Sequence, residues 1–171
     1  ADNNYSGLWY YEVEIKDLNT IIGVTETKTN YNHAPGRLAT SFGWAIGHNV
    51  FIKNGVETPM TKEVSVKVGD VVGVYLDYVN EKMNVTVNGN DIAYTFPFPT
   101  PSNTYYLAFG NYVPTISTTV KVRFTPESIS TVVSNDYQKG WGTQRTRRTK
   151  NCTYTTYYCN GTIRYKRLQD G

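Results

Sequence analysis

The stretch that most limits the possible folds runs from Gly69 to about residue 98. Gly69-Asp70 is turn chemistry. Val71-Val72-Gly73-Val74-Tyr75-Leu76-Asp77 follows, and its run of Val and other apolar residues predicts a strand buried deep in a sheet. Met83-Asn84-Val85-Thr86-Val87 then alternates and ends in Asn88-Gly89, the strongest short-range hairpin signal. Tyr94-Thr95-Phe96-Pro97-Phe98-Pro99 closes the run, and its prolines confine it to a sheet edge. The spacing predicts a three-stranded meander around which the rest of the chain packs.

The remaining strands share that idiom. Trp9, Tyr11, Val13 and Ile15 fall on one strand face, and Tyr10, Glu12 and Glu14 on the other. The plain expectation for the second face is a solvated acidic surface. The chemical alternative is a pair of carboxylates flanking a glycosidic bond. Ile21-Ile22-Gly23-Val24 is a short buried strand, and Phe42, Trp44 and Ile46 alternate in the next one. Val50-Phe51-Ile52 cannot point one way, so Phe51 faces opposite to Val50 and Ile52, either into the core or outward. Tyr105, Leu107 and Phe109 alternate, as do Val120, Val122 and Phe124. Tyr, Thr, Val and Asn are plentiful while Ala and Leu are scarce, which favours strand over helix. Short strands separated by turn signals predict an all-β, two-sheet antiparallel sandwich.

The 171 residues suit one domain with an appendage and can bury a core without metals or disulfides. No apolar run approaches the roughly 18 residues that cross a bilayer. Neither a signal peptide nor an initiator Met opens the chain, which fits a processed chain or one that starts within a longer protein. Two loops are candidates for binding, because binding residues concentrate in loops. Residues 25–37 carry Tyr31 and His33, and residues 110–118 carry Asn111 and Tyr112. His33 has no Ser or Cys nucleophile motif beside it, so a solvated histidine is expected there rather than a catalytic one.

Seven pieces in order resemble the SPRY domain family across residues 5–126. They are Trp9-Tyr10-Tyr11-Glu12-Val13-Glu14-Ile15, Ile22-Gly23-Val24, Ser41-Phe42-Gly43-Trp44-Ala45-Ile46-Gly47, the strand from Gly69 to Asp77, Val85-Thr86-Val87-Asn88-Gly89, Tyr105-Tyr106-Leu107-Ala108 and Val120-Lys121-Val122-Arg123-Phe124. The last departs from the family pattern, which often has Phe-Gly where Phe124-Thr125 stands here. The resemblance implies a bent sandwich similar to legume lectins and a jelly roll in build. It also implies a non-enzymatic module that binds a protein or peptide; no cofactor and no metal are expected. By position, the family's binding loops become Thr27–His33 and Gly110–Tyr112, and its contact aromatic becomes Phe51. The implied ligand-binding residues are therefore Thr27, Tyr31, His33, Phe51, Asn111 and Tyr112. Tyr31, Phe51 and Tyr112 are expected together on one rim. Trp9, Trp44, Val72, Val74, Leu76, Val85 and Val87 are expected in the core.

Nothing after residue 134 matches the family. The net charge of +3 conceals a division: residues 136–171 hold eight Lys/Arg against two Asp, a net +6, so the first 135 residues carry −3. The expected organisation is a sandwich over 1–134, a basic linker over 135–151 and a β-hairpin over 152–171 turning at Asn160-Gly161. Arg145, Arg147, Arg148 and Lys150 of the linker are candidates for docking on an acidic protein, anionic glycan or nucleic acid. A lone hairpin is marginal in water, so this one should lean on the sandwich, another subunit or a larger assembly. Cys152 and Cys159, seven apart among strand formers, belong to one strand; their Cα atoms would then lie about 23 Å apart, too far for a mutual disulfide. Two Cys without a nearby His make no zinc site.

The expected function is recognition of a protein or glycan by loops at one rim. The composition suits a virion or cell-surface fibre, with a cytoplasmic setting as the alternative. The competing classes are a lectin-like glycoside hydrolase using Glu12 and Glu14, whose third acidic position would be Lys16, and polyanion binding by the tail.

Overall fold

The computed structural model describes residues 8–25, 34–37, 41–77, 79–90, 94–97, 106–116, 118–123, 129, 138–139, 152–159 and 162–169. Every regular element among them is a strand: β1 (Leu8–Ile15), β2 (Thr20–Thr25), β3 (Ser41–Ala45), β4 (Val50–Lys53), β5 (Val56–Pro59), β6 (Val71–Asp77), β7 (Lys82–Val87), β8 (Tyr94–Pro97), β9 (Tyr106–Asn111), β10 (Thr118–Arg123), β11 (Gln138–Lys139), β12 (Cys152–Cys159) and β13 (Thr162–Gln169). Among the described residues no helix is long and apolar enough to cross a membrane.

The larger sheet runs β13-β12-β10-β1-β6-β7-β8, with β11 pairing beside the start of β1; the smaller runs β5-β4-β3-β2-β9. All pairs are antiparallel except β1 with β11. The expected meander is β6-β7-β8. At its turn, Asn88 and Gly89 both take positive φ, 53° and 73°, the backbone that a tight hairpin turn demands and that Asn and Gly tolerate. Asn54 and Gly55 do the same, at 52° and 75°, between β4 and β5.

The Asn88 side chain also joins two turns. Its Oδ1 accepts from the Val71 amide at 2.9 Å, and its Nδ2 donates to Asp70 Oδ1 at 3.1 Å. Asp70 Oδ2 accepts from the Lys67 amide. The Asn88 bond, followed by the Lys67 amide, holds the Asp70 carboxyl below its usual range.

The main core lies between the sheets. Trp9, Tyr11, Val13 and Ile15 enter it from β1, Phe42 and Trp44 from β3, and Val72, Val74, Leu76, Met83 and Val85 from the meander. Val87 is only half-buried at its margin. Met60, Val64 and Val66, which follow β5, complete it. The split expected at residues 50–52 is realised: Phe51 packs on the main core, while Val50 and Ile52 turn to a second cluster with Ile21, Ala34 and Ala45. That cluster covers the outer face of the smaller sheet. Gly43 must be bare there, since a Cβ on it would run into the Pro35 carbonyl.

β12 spans Cys152 to Cys159 without a break and pairs along β10, from Thr118↔Thr156 to Val122↔Cys152. β13 pairs with β12 from Cys159↔Thr162 to Cys152↔Gln169.

The solvated acidic face expected on β1 is a correction. Tyr10 and Glu12 are 0 % exposed. Glu12 accepts from the Tyr10 hydroxyl at 2.8 Å and from Arg123 Nη1 at 3.3 Å. Arg123 Nη2 donates to Glu14 at 2.8 Å, and Lys16 pairs with Glu14 at 2.5 Å. Arg123 stands directly opposite Glu12 across the β1–β10 pairing, so cross-strand geometry places one guanidinium between two carboxylates.

Candidate functional site

Four side chains from four separate segments meet on the outer face of the smaller sheet. Arg37 ends the Ala34–Arg37 turn, where its amide donates to the Ala34 carbonyl at 3.1 Å. That turn is held by the Gly36 amide donating to Ser41 Oγ at 2.7 Å and by the Gly55 amide donating to the Gly36 carbonyl at 2.8 Å. His48 sits in the turn between β3 and β4, its amide on the Ala45 carbonyl. Glu57 projects from β5, opposite Ile52 in the register. Tyr112 follows β9, its amide bonded to the Asn19 carbonyl at 2.8 Å.

Tyr112 lies against the second cluster and links the other three. Its ring stacks on His48, with centroids 3.8 Å apart and planes 24° from parallel. Arg37 Cζ lies 5.9 Å from its ring centroid, within cation–π reach. Its hydroxyl donates to Glu57 Oε1 at 2.5 Å, while Arg37 Nη1 lies 3.3 Å from Glu57 Oε2. The charge states follow from these contacts. The Tyr112 hydroxyl, followed by Arg37, holds the Glu57 carboxyl below its usual range. The same hydrogen bond to Glu57 pushes the Tyr112 phenol up. The cluster is thus an ionised carboxylate clasped by a phenol and a guanidinium, and its aromatic surface stays open because His48 and Glu57 are exposed.

Beside it lies an apolar rim. Leu18, Val113 and Ile116 are exposed, and Asn19 ties their segments together through bonds to Val113 and Ile116. Aromatic residues and Arg are among the side chains enriched at protein interfaces.

The site residues expected from the sequence divide. Tyr112 is in the cluster. Phe51 is not: its ring faces the main core, 6.3 Å from both Phe42 and Phe96. Phe51 and Tyr112 therefore lie on opposite faces of the smaller sheet and do not form one rim. Asn111 is a strand residue rather than a loop residue; it ends β9, is buried and accepts from the Thr118 hydroxyl. Thr27, Tyr31 and His33 lie outside the described residues, as do Arg145, Arg147, Arg148 and Lys150. Arg37, His48, Glu57 and Asn19 were not anticipated. Their sequence neighbourhoods hold no motif, and only the fold brings them together.

Glu12 is fully buried and ion-paired with Arg123. Lys16 and Arg123 hold the Glu14 carboxyl below its usual range, whereas a general acid for glycoside cleavage needs its carboxyl pushed up. Among the described residues no cluster of three or more His, Cys, Asp or Glu could hold a metal ion.

A family model described as "SPRY domain" matches residues 8–127. The SPRY domain of human HERC1 superposes with a TM-score of 0.51 at 19 % identity, over 63 % of this chain and 69 % of that one. The PSpry domain of TRIM65 gives a TM-score of 0.48 at 20 % identity, over 60 % and 57 %. No curated protein sequence matches the chain.

Proposed function

This chain belongs to the SPRY domain family, whose members are generally protein-interaction modules, and on that premise we propose that it binds an extended protein segment on the outer face of its smaller sheet. The observation that carries the reading is the Arg37–His48–Glu57–Tyr112 cluster: the half-buried Tyr112 stacked on the exposed His48, a charge pair beside them, and the exposed Leu18, Val113 and Ile116 nearby. A bound segment would lay apolar side chains on the aliphatic rim and polar groups against Arg37 and Glu57. The role is non-enzymatic, with Glu12 and Glu14 serving the sandwich as ion-paired struts. The segment beyond the family match, with its hairpin on β10, joins the module to a larger assembly.

Selection of binders from a displayed peptide library tests this. Selected peptides should lose affinity on Tyr112→Ala and on Arg37→Ala, and keep it on Glu14→Gln. Peptides indifferent to both changes on the face would sink the reading. Binding to a glycan array that free sugar competes away would replace a protein partner with a carbohydrate one.

A further inference from the structure

We propose that Asn19 is the positioning residue of this face: its side chain fixes the 112–116 loop so that Tyr112 reaches across the sheet to Glu57. The proposal rests on the reading of that face as the binding surface, yet its test needs no partner.

The geometry is specific to a carboxamide. Asn19 Oδ1 accepts from the Val113 amide at 2.7 Å. Its Nδ2 donates to the Val113 carbonyl at 3.2 Å and to the Ile116 carbonyl at 3.0 Å. One acceptor and two donors are in use at once, which neither Asp nor Ser supplies. The residue is itself anchored. Its amide donates to Asp17 Oδ1 at 2.8 Å, and the Thr20 hydroxyl donates to the Asp17 carbonyl at 2.6 Å. The loop needs such a support: Val113, Pro114, Thr115 and Ile116 are all exposed. Among the described residues no other side chain is seen bonding to the stretch between Tyr112 and Ile116. The loop's own Ile116–Val113 turn bond closes the tip but does not orient it on the sheet.

The readout is the carboxyl titration of Glu57 in the full chain, followed by NMR. The Tyr112 bond is the main cause that holds this group down, so the titration reports whether Tyr112 is in place. Asn19→Ala should move the Glu57 midpoint up toward the ordinary glutamate value. Asn19→Asp, which keeps the acceptor and loses both donors, should move it part of the way. Tyr112→Phe should also raise it, and adding Asn19→Ala to Tyr112→Phe should then change nothing more, because the two act in series. An unchanged Glu57 midpoint in folded Asn19→Ala would overturn the proposal, as would a further rise in the double variant. Should the titrations behave as expected while selected peptides ignore Tyr112→Ala, Asn19 positions the loop but the face is not the binding site.

Discussion

Among the described residues the same trio of side chains occurs twice, once on the outer face of each sheet. On the larger sheet Tyr10 donates to Glu12, which Arg123 also holds. On the smaller sheet Tyr112 donates to Glu57, which Arg37 also holds. In both pairs the closest Arg–Glu approach is 3.3 Å, so the local chemistry is nearly the same. Burial separates them: the Glu12 side chain is 0 % exposed and the Glu57 side chain 38 %. A carboxylate sealed from water is stabilised only while its partners stay. A carboxylate in water keeps solvent as a substitute, so its ion pair adds little to stability but remains available to a ligand. One trio is therefore architecture and the other a surface.

The contrast breaks most easily at Arg123. Arg123→Met removes the guanidinium from the buried Glu12 carboxylate and should cost roughly 3 kcal/mol in denaturant unfolding. The double change Glu12→Gln with Arg123→Met should recover much of that loss. If the single change is silent, Glu12 is not held as described. Gly73→Ala comes next. A Cβ there would lie 2.5 Å from Thr86 Oγ1 and 2.7 Å from the Tyr10 hydroxyl, so it should push Tyr10 from Glu12 at a cost of about 1–3 kcal/mol. On the smaller sheet, Tyr112→Ala should weaken a selected peptide by about 1–2 kcal/mol, read by titration calorimetry. By contrast, Arg37→Met should shift unfolding by no more than about 0.5 kcal/mol.

The smallest effects are those of pH. Glu57 and Asp70 are held below their ordinary values in the fold. Each therefore contributes above its unfolded pKa and loses that contribution as pH falls through the folded one. Amide exchange at Val71, whose N–H is held by Asn88, should quicken only in the acid range below the ordinary carboxylate values. Tyr112, pushed up, contributes below the ordinary tyrosine value and loses that as pH rises through its folded pKa. The Tyr112–Glu57 bond should thus fail at both alkaline and acid extremes and stand between them. A bond that persists in acid would detach the charge argument from the geometry.

The sandwich was legible wherever the signal is local. Asn54-Gly55 and Asn88-Gly89 announce their turns through the positive φ that both pairs adopt. The opposite facing of Phe51 against Val50 and Ile52 follows from the pleat alone. The fate of the charged residues was not legible, because their partners are distant along the chain. Glu12 reads as a surface residue until Arg123, 111 positions away, is set opposite it. Asn19 reads as an ordinary turn residue until Val113 and Ile116, 94 and 97 positions on, arrive beside it. The family analogy put Tyr112 and Phe51 on one rim, whereas they lie on opposite faces of the smaller sheet, since position after a strand does not say which way a side chain points.

The placement of β1 has a consequence for synthesis. It is the first described strand in the chain, yet in the finished sheet it lies between β6 and β10. On a ribosome adding about 5–20 residues per second, its second neighbour emerges roughly a hundred residues, and so on the order of ten seconds, later. For that interval Trp9-Tyr10-Tyr11-Glu12-Val13-Glu14-Ile15 is a β-prone segment with open edges, the kind that invites a neighbouring nascent chain. Glu12 and Glu14 then act as gatekeepers, repelling copies of the same strand before Arg123 has been made. The two carboxylates that end held by Arg123, Glu14 by Lys16 as well, would have served earlier through their charge.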